Sequence, residues 1–184
     1  ELIAAVRTNE ADELFLELQT TFHPTAEILE FQKTNFGFLA VRVARSISSY
    51  FGAGTITGST GQVGEKNIFG KPANWMDYSG PVTPEVTEGI TYFFHPDNPV
   101  AGTERPVCWH VREDGWMGAA PCMHGPLETT RQSPLTFRFL LHAHANQLHA
   151  DQADRIYQVF AASPGYQIRK PEKRHTTATV VRKS

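Results

Sequence analysis

The sequence predicts an all-β fold: an antiparallel β-sandwich with one helix near the C-terminus. Three observations predict it. Apolar residues recur with period two along most ordered-looking stretches, the signature of half-buried strands. Glycine and proline clusters at 52–54, 81, 96–99, 121–126 and 164–165 cut these stretches short, as turns between antiparallel strands require. Only one stretch, 151–163, carries helical spacing.

The elements follow in chain order. Residues 12–24 alternate Leu14, Leu16 and Leu18 against Glu13, Glu17 and Gln19, so the leucines are expected to face the core. Residues 27–34 place Ile28 beside Leu29, a less clean register. Residues 36–48 alternate Leu39, Val41 and Val43 against Ala40, Arg42 and Ala44. Residues 73–81 form a short aromatic strand, and 88–96 are β-prone at Ile90, Tyr92, Phe93 and Phe94. Residues 106–112 alternate Val107, Trp109 and Val111 against Cys108, His110 and Arg112. Residues 134–145 alternate Leu135, Phe137 and Phe139 against Thr136, Arg138 and Leu140. In the helix, Asp151 is the expected N-cap, Asp154 suits the first turn, and Ile156, Val159 and Phe160 share one face. The tail after Tyr166 reads as a last strand or as a loose end over 168–184.

The chain has 184 residues, so a single domain over 1–184 is expected. It is long enough to bury roughly 70% of its unfolded surface. Net charge is −2 and the pI is near 6.5, which argues against a nucleic-acid partner. The basic C-terminal stretch reads as a solvated tail. No apolar run approaches the ~20 residues that span a bilayer, so no membrane partner is expected. The first residue is Glu1 and no signal peptide follows, so the chain reads as part of a longer protein with a cytoplasmic location. Cys108 and Cys122 make no zinc motif and are expected as thiols.

Three groups of residues could carry chemistry. Residues 58–75 are rich in glycine but lack the order of a phosphate loop, so the glycines are read as left-handed turn positions. Glu65 and Lys66 form a polar pair on this loop, either functional or a surface ion pair. His142 and His144 are two apart, so on a strand they face one side and could form a metal arm given a third ligand. The bland alternative is a polar sheet face. Finally, His95 and His110 fall near strand ends beside aromatics, and alternation makes His110 and Arg112 project together, away from Trp109. Trp75, Trp109 and Trp116 with Tyr78 and Tyr92 could form a stacking floor for a sugar ring, although each tryptophan alone is more often core.

Four elements in order resemble the bacterial proteins labelled the methane oxygenase PmoA family. They are Gly70, Lys71, Ala73, Trp75, Asp77, Tyr78 and Gly80; then His95, Pro96 and Asn98; then Trp109, His110, Val111 and Arg112; then the strand at 134–145. The resemblance covers about residues 38–162. An HHRG-type element found upstream in that family is absent here, as in a chain beginning midway. The resemblance implies a sandwich similar to part of the galactose-mutarotase supersandwich, and a role in bacterial carbohydrate catabolism. No cofactor is carried over, because the chain lacks the membrane spans of a particulate oxygenase.

The leading expectation is therefore a sugar-binding enzyme or accessory domain. His110 and His95 would be acid/base candidates. Glu65, Lys66, Lys71, Trp75, Asp77 and Arg112 would line the ligand site on one sheet face. The partner would be a small molecule, with homo-oligomerisation left open. The alternatives are a non-catalytic carbohydrate-binding or interaction module, and a metal-dependent enzyme built on His142 and His144.

Overall fold

The computed structural model describes residues 1–102, 106–171, 175 and 177–184. In chain order the elements are β1 (Leu2–Thr8), β2 (Leu14–Phe22), β3 (Ile28–Phe31), β4 (Ala40–Arg42), β5 (Thr55–Gly58), α1 (Glu65–Ile68), β6 (Trp75–Pro81), β7 (Thr87–Phe94), β8 (Trp109–Val111), β9 (Trp116–Ala119), β10 (Leu127–Thr130), β11 (Leu135–Ala145), α2 (Ala150–Ala162), β12 (Tyr166–Arg169) and β13 (Thr179–Arg182). The large sheet has six strands in the order β1-β2-β11-β7-β6-β5, all antiparallel. A three-stranded sheet, β4-β9-β8, packs against its inner face. Two ribbons, β3-β10 and β12-β13, complete the fold.

The main core lies between the two sheets. Tyr78, Tyr92, Phe137 and Phe139 from the large sheet meet Trp109, Val111 and Met117 from the small one. Trp109 is fully buried, donates its indole N–H to the Ala73 carbonyl at 2.8 Å and meets Tyr92 edge-on at 4.9 Å. Trp109→Ala is expected to cost about 3–5 kcal/mol, because it opens a cavity and orphans that carbonyl. Urea unfolding would measure the loss, and a cost below about 1 kcal/mol would contradict this packing.

The strand over 36–48 is shorter than its alternation predicts. Only Ala40–Arg42 pairs, and the chain then turns back through residues 44–54. Tyr78 holds that turn: its hydroxyl accepts the Ser49 N–H at 2.9 Å and reaches the Glu113 carbonyl at 2.9 Å. Val43 and Ile47 enter the core from this loop.

β2 is covered on both faces, and Leu18 packs against the main core as its alternation predicts. Leu14 is exposed, and Phe15, Glu17 and Gln19 are the buried residues. The reason is a second layer. α2 covers the outer face of the large sheet, placing Ala153, Tyr157 and Phe160 on Phe15, Trp75, Phe93 and Leu140. The helix face differs accordingly from the expected one. Val159 is exposed, Tyr157 takes the buried position, and His149 rather than Asp151 occupies the N-cap. Asp151 instead pairs with Arg155 one turn on, at 2.9 Å.

The tail ends as a strand, β13, paired with β12. The ribbon is tied to the sheet by Gln19, whose side chain bonds both the N–H and the carbonyl of Tyr166 at 2.7 and 2.9 Å. Among the described residues, no helix is long and apolar enough to cross a membrane.

Candidate functional site

The outer face of the large sheet is a set of cross-strand rows. His95, Arg138 and Gln19 form one; Trp75, Phe93, Leu140 and Glu17 the next. Asp77, Thr91, His142 and Phe15 follow, then Ser79, Gly89 and His144. α2 sits on the apolar part, so the polar rows flank it. Each flank is a buried hydrogen-bonded network.

At one flank Asp77, 3% exposed, accepts from Thr91 Oγ1 at 2.7 Å, from His144 Nε2 at 2.8 Å and from the Ser79 hydroxyl. His144 Nδ1 lies 3.1 Å from the Asn146 carbonyl. Acceptors thus stand at both ring nitrogens. Burial alone would lower the pKa of His144, but the Asp77 bond and charge outweigh it and raise the value. The ring fits only because residue 89 is glycine: a Cβ there would fall 2.6 Å from His144 Cε1. Its neighbour His142 stacks on Phe15 at 4.1 Å and bonds Glu13 at 3.0 Å, and burial lowers its pKa. The two histidines do share a face, yet each is committed to a carboxylate. Among the described residues no three His, Cys, Asp or Glu side chains gather as a metal set.

At the other flank Arg138 Nη2 bonds Glu17 at 2.8 Å, and Nη1 lies 2.8 Å from His95 Nε2. The Asp97 N–H donates to His95 Nδ1 at 3.2 Å. Burial and the adjacent guanidinium lower the pKa of His95 and keep it neutral. The Asp97 N–H and Arg138 Nη1 are both donors and a neutral imidazole has one accepting nitrogen, so only one of these two contacts is a hydrogen bond at a time.

Beside His95 opens a cavity of about 590 Å³. It lies where β6 begins and β7 ends, between the 106–107 segment and α2. Phe94, Pro96, Pro106 and Val107 give apolar walls, while Asn74, Asp97 and Tyr157 supply polar groups. Burial and the charge of Asp97 raise the pKa of the Tyr157 hydroxyl, which stays a donor. The volume lies within the roughly 300–1,000 Å³ of small-molecule sites.

The predicted site residues divide between the two sheets. Trp75, Asp77 and His95 share the helix-covered face of the large sheet. Trp75 and Asp77 are buried, and the Trp75 indole N–H donates to Asp154 at 2.8 Å. His110 and Arg112 lie on the outer face of the small sheet. His110 is packed between Phe36, Phe69 and Trp116, with Nδ1 buried and unpartnered. Burial and Arg112 lower its pKa. Glu65 pairs with Arg112 at 2.7 Å and accepts the Glu113 N–H, so it is not the partner of Lys66. Lys66 and Lys71 are exposed. Trp75, Trp109, Tyr78 and Tyr92 are core side chains, so they form no stacking floor. Gly61, Gly64 and Gly70 do take left-handed conformations, at φ 78°, 80° and 72°.

A sequence model for a family of unknown function, DUF6807, matches residues 3–158. The chain belongs to the DUF6807 family. No curated protein and no solved structure matches it. In this DUF6807 domain, residues 3–158 take in both sheets and most of α2, and hence every residue that lines the cavity. Sequence reasoning missed Asn74, Asp97 and Tyr157. Two of them carried a signal, since Asn74 sits between Lys71 and Trp75, and Asp97 within the His95–Asn98 element. Tyr157 carried none, because a helical tyrosine reads as packing.

Proposed function

We propose that this domain binds a sugar or sugar-derived small molecule in the cavity beside His95, as an accessory domain of carbohydrate catabolism. One observation carries the reading. The Tyr157 hydroxyl and the Asp97 carboxyl group line one apolar-walled cavity of about 590 Å³. A donor and an acceptor in one cavity suit the hydroxyls of a polyol, and the apolar walls suit the C–H face of a ring. Asn74 adds a group able to both donate and accept. The resemblance seen in the sequence points to the same ligand class. Binding is favoured over proton transfer because burial and the Arg138 guanidinium make His95 a weaker base.

The test is a thermal-shift screen against neutral sugars, keto-sugars and sugar acids. A ligand at ~100 Kd adds about 2.7 kcal/mol to stability, a readily visible shift. The shift is expected to vanish in Asn74→Ala and Tyr157→Phe. It is expected to persist in Lys71→Ala and Arg112→Ala, which lie outside the cavity. No shift with any sugar, or a shift lost in Arg112→Ala and kept in Tyr157→Phe, would overturn the reading.

A further inference from the structure

We propose that Cys108 and His124 form a reactive site separate from the binding cavity: a histidine-paired thiol that takes small, soft carbon electrophiles. Cys108 Sγ lies 3.3 Å from His124 Nε2, within reach for a hydrogen bond to sulfur. A nucleophile beside a base is the arrangement that generates a thiolate near neutrality.

The backbone presets the pair. Cys108 is pinned from two sides, by a bridge to Pro72 and by the Ala120 N–H, which donates to its carbonyl at 2.9 Å. His124 follows a tight turn closed by the Met123 N–H to the Ala120 carbonyl at 3.1 Å. Cys108 is buried while His124 is exposed, so the pair spans the boundary between interior and solvent. The pair also lies away from the proposed ligand cavity. Val107 lines that cavity and points inward to the core, whereas Cys108, the next residue along an extended segment, faces the other way.

In the reaction, His124 Nε2 accepts the Sγ proton. The thiolate then bonds to the electrophilic carbon, and the leaving group departs with its bonding pair. The exposed imidazolium returns the proton to water.

Cys122 is an internal control. It is also buried, and burial raises its pKa. Alkylation by iodoacetamide, followed residue by residue by mass spectrometry across pH, tests the proposal. Cys108 is expected to react about tenfold faster than Cys122 near neutral pH, with a rate midpoint below that of an ordinary thiol. In both His124→Ala and His124→Gln the midpoint should rise to the ordinary thiol range. The midpoint is decisive, because removing the ring also changes access and hence the plateau rate. Equal reactivity of the two cysteines in the wild-type protein, or an unchanged midpoint in both variants, would overturn it.

Discussion

Asp77→Asn is expected to cost about 3–5 kcal/mol of folding stability, since removing one partner of a buried charged network strands the others. Asp77 accepts from His144, Thr91 and Ser79 at once. An asparagine offers one acceptor oxygen, and its amide would point a donor at donors. Urea unfolding near pH 6 and near pH 8 would measure the effect. The sign of the pH dependence follows from His144, whose folded pKa is raised above 6.5. Its contribution is fully present below that ordinary value and is lost as pH rises through the raised one. The cost of Asp77→Asn should therefore be larger near pH 6 than near pH 8. His95, His110 and His142 have lowered values and act oppositely, destabilising the fold as pH falls. The effects of His95 and His110 are common to wild type and variant and drop out of the difference, whereas the Asp77 charge also raises His142, so its removal acts on His142 in the same direction as on His144. The double variant Asp77→Asn/His144→Gln should cost less than the sum of the singles. A pH-independent cost below about 1 kcal/mol would contradict the pair.

Arg138→Met is expected to cost a similar amount, about 3–5 kcal/mol. Arg138 is 8% exposed and bonds Glu17, the Ser163 carbonyl and the Ser163 hydroxyl. It ties the end of α2 to the sheet. With it gone, Glu17 keeps the Tyr166 hydroxyl and Arg182, which is partly exposed and comes from β13. The second expected result is therefore local: backbone amides of 160–169 should exchange faster in the variant, beyond the global loss. Arg182→Ala should cost less, because its side chain is 37% exposed and screened by water. If Arg182→Ala cost more than Arg138→Met, the network would be anchored at the tail and not at β11. Arg138 also sits against His95, so weaker ligand binding in Arg138→Met would connect this network to the proposed cavity.

Several features were legible in the sequence because they depend on neighbours along the chain. β-prone residues at 88–96 and period two at 134–145 mark strands where β7 and β11 stand. Alternation also separated Trp109, which faces the core, from His110, which does not. It placed His142 and His144 on one face. Other strands were weakly marked. β1 reads as LIAAVRT, where alanines dilute the pattern, and β9 and β10 are only four residues each. The partition of the site was hidden for a different reason. His110 and Arg112 stand apart from Trp75, Asp77 and His95 because β7 and β8 belong to different sheets, and Glu65, from α1, joins the former two through its ion pair with Arg112.

The sequence by itself determined the all-β class, most long strands, the single substantial helix and the absence of a membrane-spanning helix. These follow from local periodicity and composition, which act within a few residues. Only the tertiary structure decided that the second face of β2 is covered too, that Asp77 belongs with His144 and not with Lys71, and that Asn74, Asp97 and Tyr157 border one cavity. Those facts depend on cross-strand register and on the docking of α2, which join residues far apart in the chain, such as Phe15 and Phe160. A pleated strand buries whichever face another layer covers, and no alternation within the strand records that a helix from the far end of the chain will cover the polar one.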